Sequence, residues 1–283
     1  MQRPPFRLFS VAACIILVFS HSLLADQATS DKAWTVLQAG LDKKGEDRAT
    51  AVRVLGLVPD DAKATQTALN ALDDTDYNVR AAAAEALGQM HAKEAIPKLE
   101  GLIPNEKEPS VIMASANSLI ALGDTKAYNV YYAILTGEQK SGAPLLDEQK
   151  KMLHDPKKMA QFGFEQGLGF IPFAGLGYTA VKSLAKDDSS PVRAAAARVL
   201  AKDSDPKSKS ALIDATTDKS WIVRAAALNA LALRNDPSVV PNIQSALDDD
   251  KSAVRYTAAA TIIHLGEVKP PKPARPSAHR ATR

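Results

Sequence analysis

Apolar and polar positions alternate along most of this chain with the period of a helix rather than a strand. The clearest stretch, Val79–Gly88, reads Val-Arg-Ala-Ala-Ala-Ala-Glu-Ala-Leu-Gly, and it is echoed from Val192, Val223 and Val254. Those three valines are 31 residues apart, and Val79 and Val111 are 32 apart. A period of this length predicts helix pairs stacked side by side rather than one closed globule. The first pair spans residues 32–58, with Trp34, Leu37 and Leu41 on one helix and Ala51, Val52 and Leu55 on the other. Residues 62–90 set Leu69 and Leu72 against Val79, Ala83 and Leu87, and residues 92–122 carry Pro97 in the first helix and Val111–Leu119 in the second.

The rhythm then breaks. From Val111 to Val192 is 81 residues, two periods plus about 19. Residues 127–135 still suit a first helix, through Val130, Tyr131 and Ile134, and 147–159 read as a charged helix interrupted at Pro156. Residues 162–178 hold four of the seven phenylalanines and five of the fourteen glycines. Three further pairs follow at 180–201, 207–233 and 239–265, the last expected to cap the stack, with Pro241 placed as Pro97 is. The predicted organisation is therefore a leader (1–25), repeats one to three (26–124), an irregular fourth repeat with a Gly/Phe-rich insert (125–178), repeats five to seven (179–267), and a basic, proline-rich tail (268–283).

Each echo carries a second mark, an acid six residues before an arginine: Asp42 and Arg48, Asp74 and Arg80, Asp187 and Arg193, Asp218 and Arg224, Asp249 and Arg255. Glu106 keeps the acid before Ile112, where the arginine is lost. This Asp-x5-Arg spacing ahead of an Ala/Leu helix resembles HEAT and HEAT-like (PBS-lyase-type) repeats. The resemblance implies an all-α solenoid, an α-α superhelix of about seven helical hairpins, in which the acids lie at the turns and form a hydrogen-bonded ladder with the arginines between neighbouring repeats. An arginine fork suits a carboxylate, and an acid at a helix N-terminus favours the dipole.

Charge changes the picture little. The formal +3 includes Arg3 and Arg7 in the leader and Lys269, Lys272, Arg275, Arg280 and Arg283 in the tail; without those seven, 28 basic residues face 32 acidic ones, a net of −4. No specific nucleic-acid binding is expected from such a body. The tail has the composition of a disordered segment and offers a route to an anionic surface. The leader joins two arginines to an apolar run from Leu8 to Leu24, which predicts export to the periplasm or cell envelope with cleavage after Ala25. Cleavage after Ser22, an uncleaved anchor and a lipoprotein cut before Cys14 remain alternatives. Cys14 is the one cysteine, so no disulfide is expected beyond the leader.

Catalytic chemistry needs convergent polar groups, and the sequence offers none. His91, His154, His264 and His279 are scattered without zinc spacing. His-Glu dipeptides are absent, so the iron-ligand motif of deoxyhypusine hydroxylase, a HEAT-like enzyme, is missing. Gly175–Ala180 matches G-x-G-x-x-A outside any strand–helix–strand unit. Asp248–Asp250 and Asp73–Asp76 lack the spaced ligands of a calcium loop and read as turn acids. No catalytic residue, metal or cofactor is expected, and the chain is read as a non-catalytic scaffold for a protein partner. The surface proposed for contact is the row Glu85, Asn117, Arg198, Asn229 and Tyr256 on the second helices, with Phe164, Phe170 and Phe173 of the insert. The insert reads either as a buried plug or as an apolar loop that touches a partner or a membrane. A HEAT-like lyase subunit is a further alternative, disfavoured by the leader. Ala83, Ala84, Ala196, Ala197, Ala258 and Ala259 are expected to pack closely against neighbouring helices.

Overall fold

The computed structural model describes residues 27–136 and 190–268. The leader, residues 137–189 with the charged 147–159 segment, Asp187, Phe164, Phe170 and Phe173, and the tail beyond 268 lie outside the described residues.

All the described regular structure is helical. Helix α1 covers 27–41 and is followed by α2 (Gly45–Val54), α3 (Ala62–Ala71), α4 (Tyr77–Gln89), α5 (Ile96–Leu102), α6 (Pro109–Ala121) and α7 (Tyr128–Thr136). After the undescribed stretch come α8 (Ser190–Leu200), α9 (Pro206–Ala215), α10 (Trp221–Leu233), α11 (Val240–Ile243) and α12 (Ser252–Glu267). Aspartates open several of them: Asp61 accepts from the Ala64 amide at 2.7 Å, Asp76 from Asn78 at 2.9 Å and Asp205 from Lys207 at 2.8 Å. Pro97, Pro109, Pro206 and Pro241 all fall in first turns, where a missing N–H costs nothing. The proline-bearing first helices α5 and α11 are short and continue as 3-10 turns, Ile103–Asn105 and Gln244–Asp248.

The second helices α2, α4, α6, α8, α10 and α12 form the spine, and small residues set its spacing. Ala82, Ala83, Ala84 and Ala86 are fully buried in α4, as are Ala258, Ala259 and Ala260 in α12. A Cβ on Gly88 would stand 2.5 Å from Ser118 Oγ. Hydroxyls tie neighbouring helices at these close approaches: Ser118 Oγ donates to the Ala84 carbonyl at 2.7 Å, and Thr261 Oγ1 to Leu228 at 3.2 Å. Leu87, Leu119 and Leu231 of the second helices share one buried core with Leu37, Leu72, Leu99, Leu212 and Ile243.

The order of stacking differs from the order of the sequence. Helix α4 packs between α2 and α6, and α10 between α8 and α12, as consecutive repeats should. But α12 also packs against α2 and against the 3-10 turn Leu55–Leu57 that follows it. The seventh repeat is thus not a terminal cap, as its position in the sequence suggested. It is an interior layer, and the spine runs five, six, seven, one, two, three. The join also has the same sense as the others. Lys98, on a first helix, meets Asp73 just before the ladder acid of the preceding repeat, at 2.6 Å; Lys32 meets Asp248 in the same way, also at 2.6 Å. Helix α1 reaches the seam at Gly40, where a Cβ would lie 2.6 Å from the Tyr256 ring and 2.9 Å from Ala51 Cβ.

Candidate functional site

Polar residues on the second helices fall into two rows with different uses. The first row is the arginine ladder. Arg80 Nη1 donates to the Asp74 carbonyl of its own turn at 2.9 Å, while Nε and Nη2 grip Glu106 of the next repeat at 2.7 and 2.9 Å. Arg224 repeats the arrangement with the Asp218 carbonyl at 3.0 Å and both Asp249 oxygens at 2.7 Å, and adds Asp250 at 2.8 Å. Arg48 donates to the Leu41 carbonyl and lies 2.8 Å from Asp74; Arg193 lies 3.0 Å from Asp218. Arg48, Arg80 and Arg224 therefore each hold their own turn by a carbonyl and the following repeat by a carboxylate. The carboxylates also order their turns: Asp74 accepts from the Asp76 amide, Asp218 from Ser220, Asp249 from Lys251, and Glu106 from Lys107 and Glu108. At the seam the ladder stops. Arg255 donates to the Asp249 carbonyl at 2.7 Å, and Asp42 accepts from Gln38 at 2.9 Å, with no ion pair between Arg255 and Asp42 among the described residues.

Electrostatics follow from this wiring. Burial alone would raise the Glu106 carboxyl, but the Arg80 fork and the amides of Glu108 and Lys107 outweigh it and hold the group below its ordinary value. Arg80 and Arg224 are raised in turn, chiefly by their hydrogen bonds to Glu106 and Asp249. At the seam the balance reverses. Burial, then Asp61 and Asp60, push the Glu267 carboxyl up to about 7, while burial lowers His264 against the opposing pull of Asp60.

The second row runs through Glu85, Asn117, Arg198 and Asn229, six residues beyond the valine of their helices, and Tyr256, two beyond Val254, and its members are used unequally. Glu85 is half-buried and accepts from Arg53 Nε at 2.8 Å across the junction between repeats one and two. Asn117 accepts from the Tyr131 hydroxyl. Arg198 is half-buried with no hydrogen bond or ion pair among the described residues, and its burial lowers its pKa. Asn229 is 5% exposed, and its Nδ2 has no partner. Tyr256, at 3% exposure, does not belong to an open surface at all: it fills the space opposite Gly40 at the seam. Asn229 is likewise buried rather than displayed. Arg53 was missed because the first repeat has Asp47 where the others have the counting valine, although its position six residues on is the same.

Among the described residues no group of three His, Cys, Asp or Glu side chains could hold a metal ion. No described helix is long and apolar enough to cross a membrane. A family model described as HEAT repeats matches residues 34–120 and 179–263, together more than half of the chain. No curated protein matches the sequence. Among solved structures, human deoxyhypusine hydroxylase in complex with glycerol is 19% identical, with 86% of this chain and 89% of that one covered, at a TM-score of 0.30. Nothing about this chain's chemistry follows from a likeness at that level.

Proposed function

This chain belongs to the HEAT-repeat family, and we propose that it is a non-catalytic, exported scaffold that binds a protein partner on the concave face of its second helices, with the Phe/Gly-rich insert as an additional contact. The observation that supports this reading is the division between the two polar rows. The ladder groups are consumed in holding the repeats together, whereas Arg53, Glu85 and Asn117 stay partly exposed in the consecutive repeats one to three, as does Arg198 in repeat five. A rigid stack that keeps a mixed polar row at its surface is suited to reading a protein rather than turning over a small substrate. The arginine-flanked apolar run of residues 1–25 supports work in the periplasm or at the cell envelope, and the proposal assigns no role to catalysis, cofactors or metals.

The test is crosslinking in intact envelope followed by affinity capture, comparing wild type with two folded variants. One carries Arg53→Glu and Asn117→Lys, and the other deletes residues 162–177. Loss of a specific partner in the first assigns binding to the helical row, and loss in the second alone assigns it to the insert. Capture that neither variant changes overturns the reading.

A further inference from the structure

The second helices stack by a repeated contact. Seven residues beyond the repeat valine, Ser118 of α6 and Thr261 of α12 donate to carbonyls of the preceding second helix, at Ala84 and Leu228. That position, the valine itself and the residues three and four beyond it form one helical row, the row that meets the preceding repeat. All four positions are buried in α4, α6, α10 and α12. In α8 the same row is Val192, Ala195, Ala196 and Val199, and all four are exposed, Val192 at 61% and Val199 at 73%. Among the described residues α8 has α10 on one side of the spine and nothing stacked on the other. Arg198 stands three residues beyond Ala195 and borders the row. Its guanidinium is half-buried, with no hydrogen bond or ion pair among the described residues. In the register that Arg198 holds, neighbouring repeats can meet through opposite charges, as Arg53 of α2 and Glu85 of α4 do at 2.8 Å.

We propose that this face of α8 is the docking site for an α-helix of a protein partner, one that carries two small residues four apart and a carboxylate directly after the first. The occupant follows from the interface it continues, because what covers the corresponding rows of α6 and α12 is a helix. Helix α4 shows the pattern such a helix needs. Its Ala84 carbonyl takes the Ser118 hydroxyl, and Gly88 lies so close that a Cβ there would stand 2.5 Å from Ser118 Oγ. Glu85 falls between them, in the register of Arg198. A helix set on α8 in this way adds one layer to the stack and covers two exposed valines. It also brings its carboxylate to a guanidinium fork that has no other, and a half-buried fork is screened less than an exposed one. This inference rests on the scaffold reading and names the chemistry of the partner's contact, at the end of the stack.

The experiment measures, by fluorescence anisotropy, the binding of a labelled, hydrocarbon-stapled helix to the full chain. The probe has the sequence of residues 76–90, which supplies Ala84, Glu85 and Gly88, and a companion peptide carries Glu85→Gln. The expected result is saturable binding of the first peptide and about tenfold weaker binding of the second. Arg198→Gln in the chain should weaken the first peptide equally and leave the second unchanged, since the two changes remove the same pair. Val199→Asp should abolish binding, and Ala196→Leu should weaken it at an unchanged melting temperature, because both side chains are exposed in the free chain. Equal binding of the two peptides, additive losses, or full binding by Val199→Asp would each overturn the proposal. So would either other occupant. A wild-type chain that sediments as a dimer, with Val199→Asp a monomer, assigns the face to a second copy. A chain that binds the peptide only after deletion of residues 162–177 assigns it to the chain's own insert. A partner captured from the envelope equally well by wild type and Val199→Asp leaves the scaffold standing and removes this face from it. Saturable, Glu85-dependent peptide binding in a chain that captures no partner keeps the face and overturns the scaffold reading.

Discussion

Arg80 and Glu106 show what one ladder rung contributes. The Glu106 side chain is 5% exposed and Arg80 17%, so solvent screens the pair far less than it would a surface bridge. Arg80→Met strands a buried carboxylate and is expected to cost about 3 kcal/mol in urea denaturation. Replacing both partners, as Arg80→Met with Glu106→Leu, should cost distinctly less, since no buried charge is left unpaired. The pH dependence has a definite sign. The folded Glu106 pKa lies below the unfolded one, so its contribution is present above the ordinary glutamate value near 4.5 and is lost as pH falls through the depressed value. The stability gap between wild type and Glu106→Gln should therefore close on acidification. Glu267 behaves oppositely. Its folded pKa is raised from 4.5 to about 7, so the folded state binds the extra proton, and stability drains as pH rises through that window. Relative to wild type, Glu267→Gln should gain more melting temperature at pH 8 than at pH 5; an equal gain at both would show that the seam does not perturb this group.

Among the elements, the contrast between α4 and α8 decides which alanines space the stack. Ala83 is fully buried in α4, and Ala83→Leu should overpack the spine and cost about 1–3 kcal/mol. Ala196 holds the same register in α8 but is exposed, together with Val192 and Val199, so Ala196→Leu should leave the melting temperature nearly unchanged. The expectation that both would pack closely fails for Ala196. The equivalent Ala227 of α10 has α8 against its spine, whereas α8 ends the described stack on that side. Such differences mark the limit of what periodicity tells. The Asp-x5-Arg spacing made the turns, the helix starts and the rungs legible, because each is a local event repeated in register. The fate of a given alanine or tyrosine depends on which repeat lies beside it, and the sequence pattern does not encode that adjacency. Tyr256 is the instructive case. Two residues after the repeat valine, Ala81, Ala194 and Ala225 are small and only Met113 approaches it in size. The bulk at Tyr256 is matched by the missing side chain of Gly40, which can be read as a pair only once repeats seven and one are known to touch.

The whole molecule depends on that seam. Because the Lys32–Asp248 contact reproduces the sense of Lys98–Asp73, helix α12 leads toward α1 as each second helix leads toward the next repeat. The two three-repeat blocks then unfold as one unit only while the seam holds, since a solenoid's cooperativity is carried by its nearest-neighbour interfaces. Gly40→Val forces a side chain into the Tyr256 ring and Ala51, neither of which can withdraw from a buried position. It should split the calorimetric transition into two, with the lower one broadened. A circularly permuted chain, beginning at residue 190, running to 268, joined by a short Gly/Ser linker to residue 27 and ending at 189, puts the repeats in sequence in the order in which they stack. The connection made in this way replaces a contact by a covalent neighbour, and the one cut lies between the ends of the spine. The permutant is expected to show wild-type circular dichroism and a single transition, and to tolerate Gly40→Val better than the natural order does, because the tether raises the effective concentration of the two faces. Two transitions in the wild-type chain that the linker fails to merge would mean that repeats seven and one do not form a layer of the stack, and that the molecule is two short solenoids rather than one.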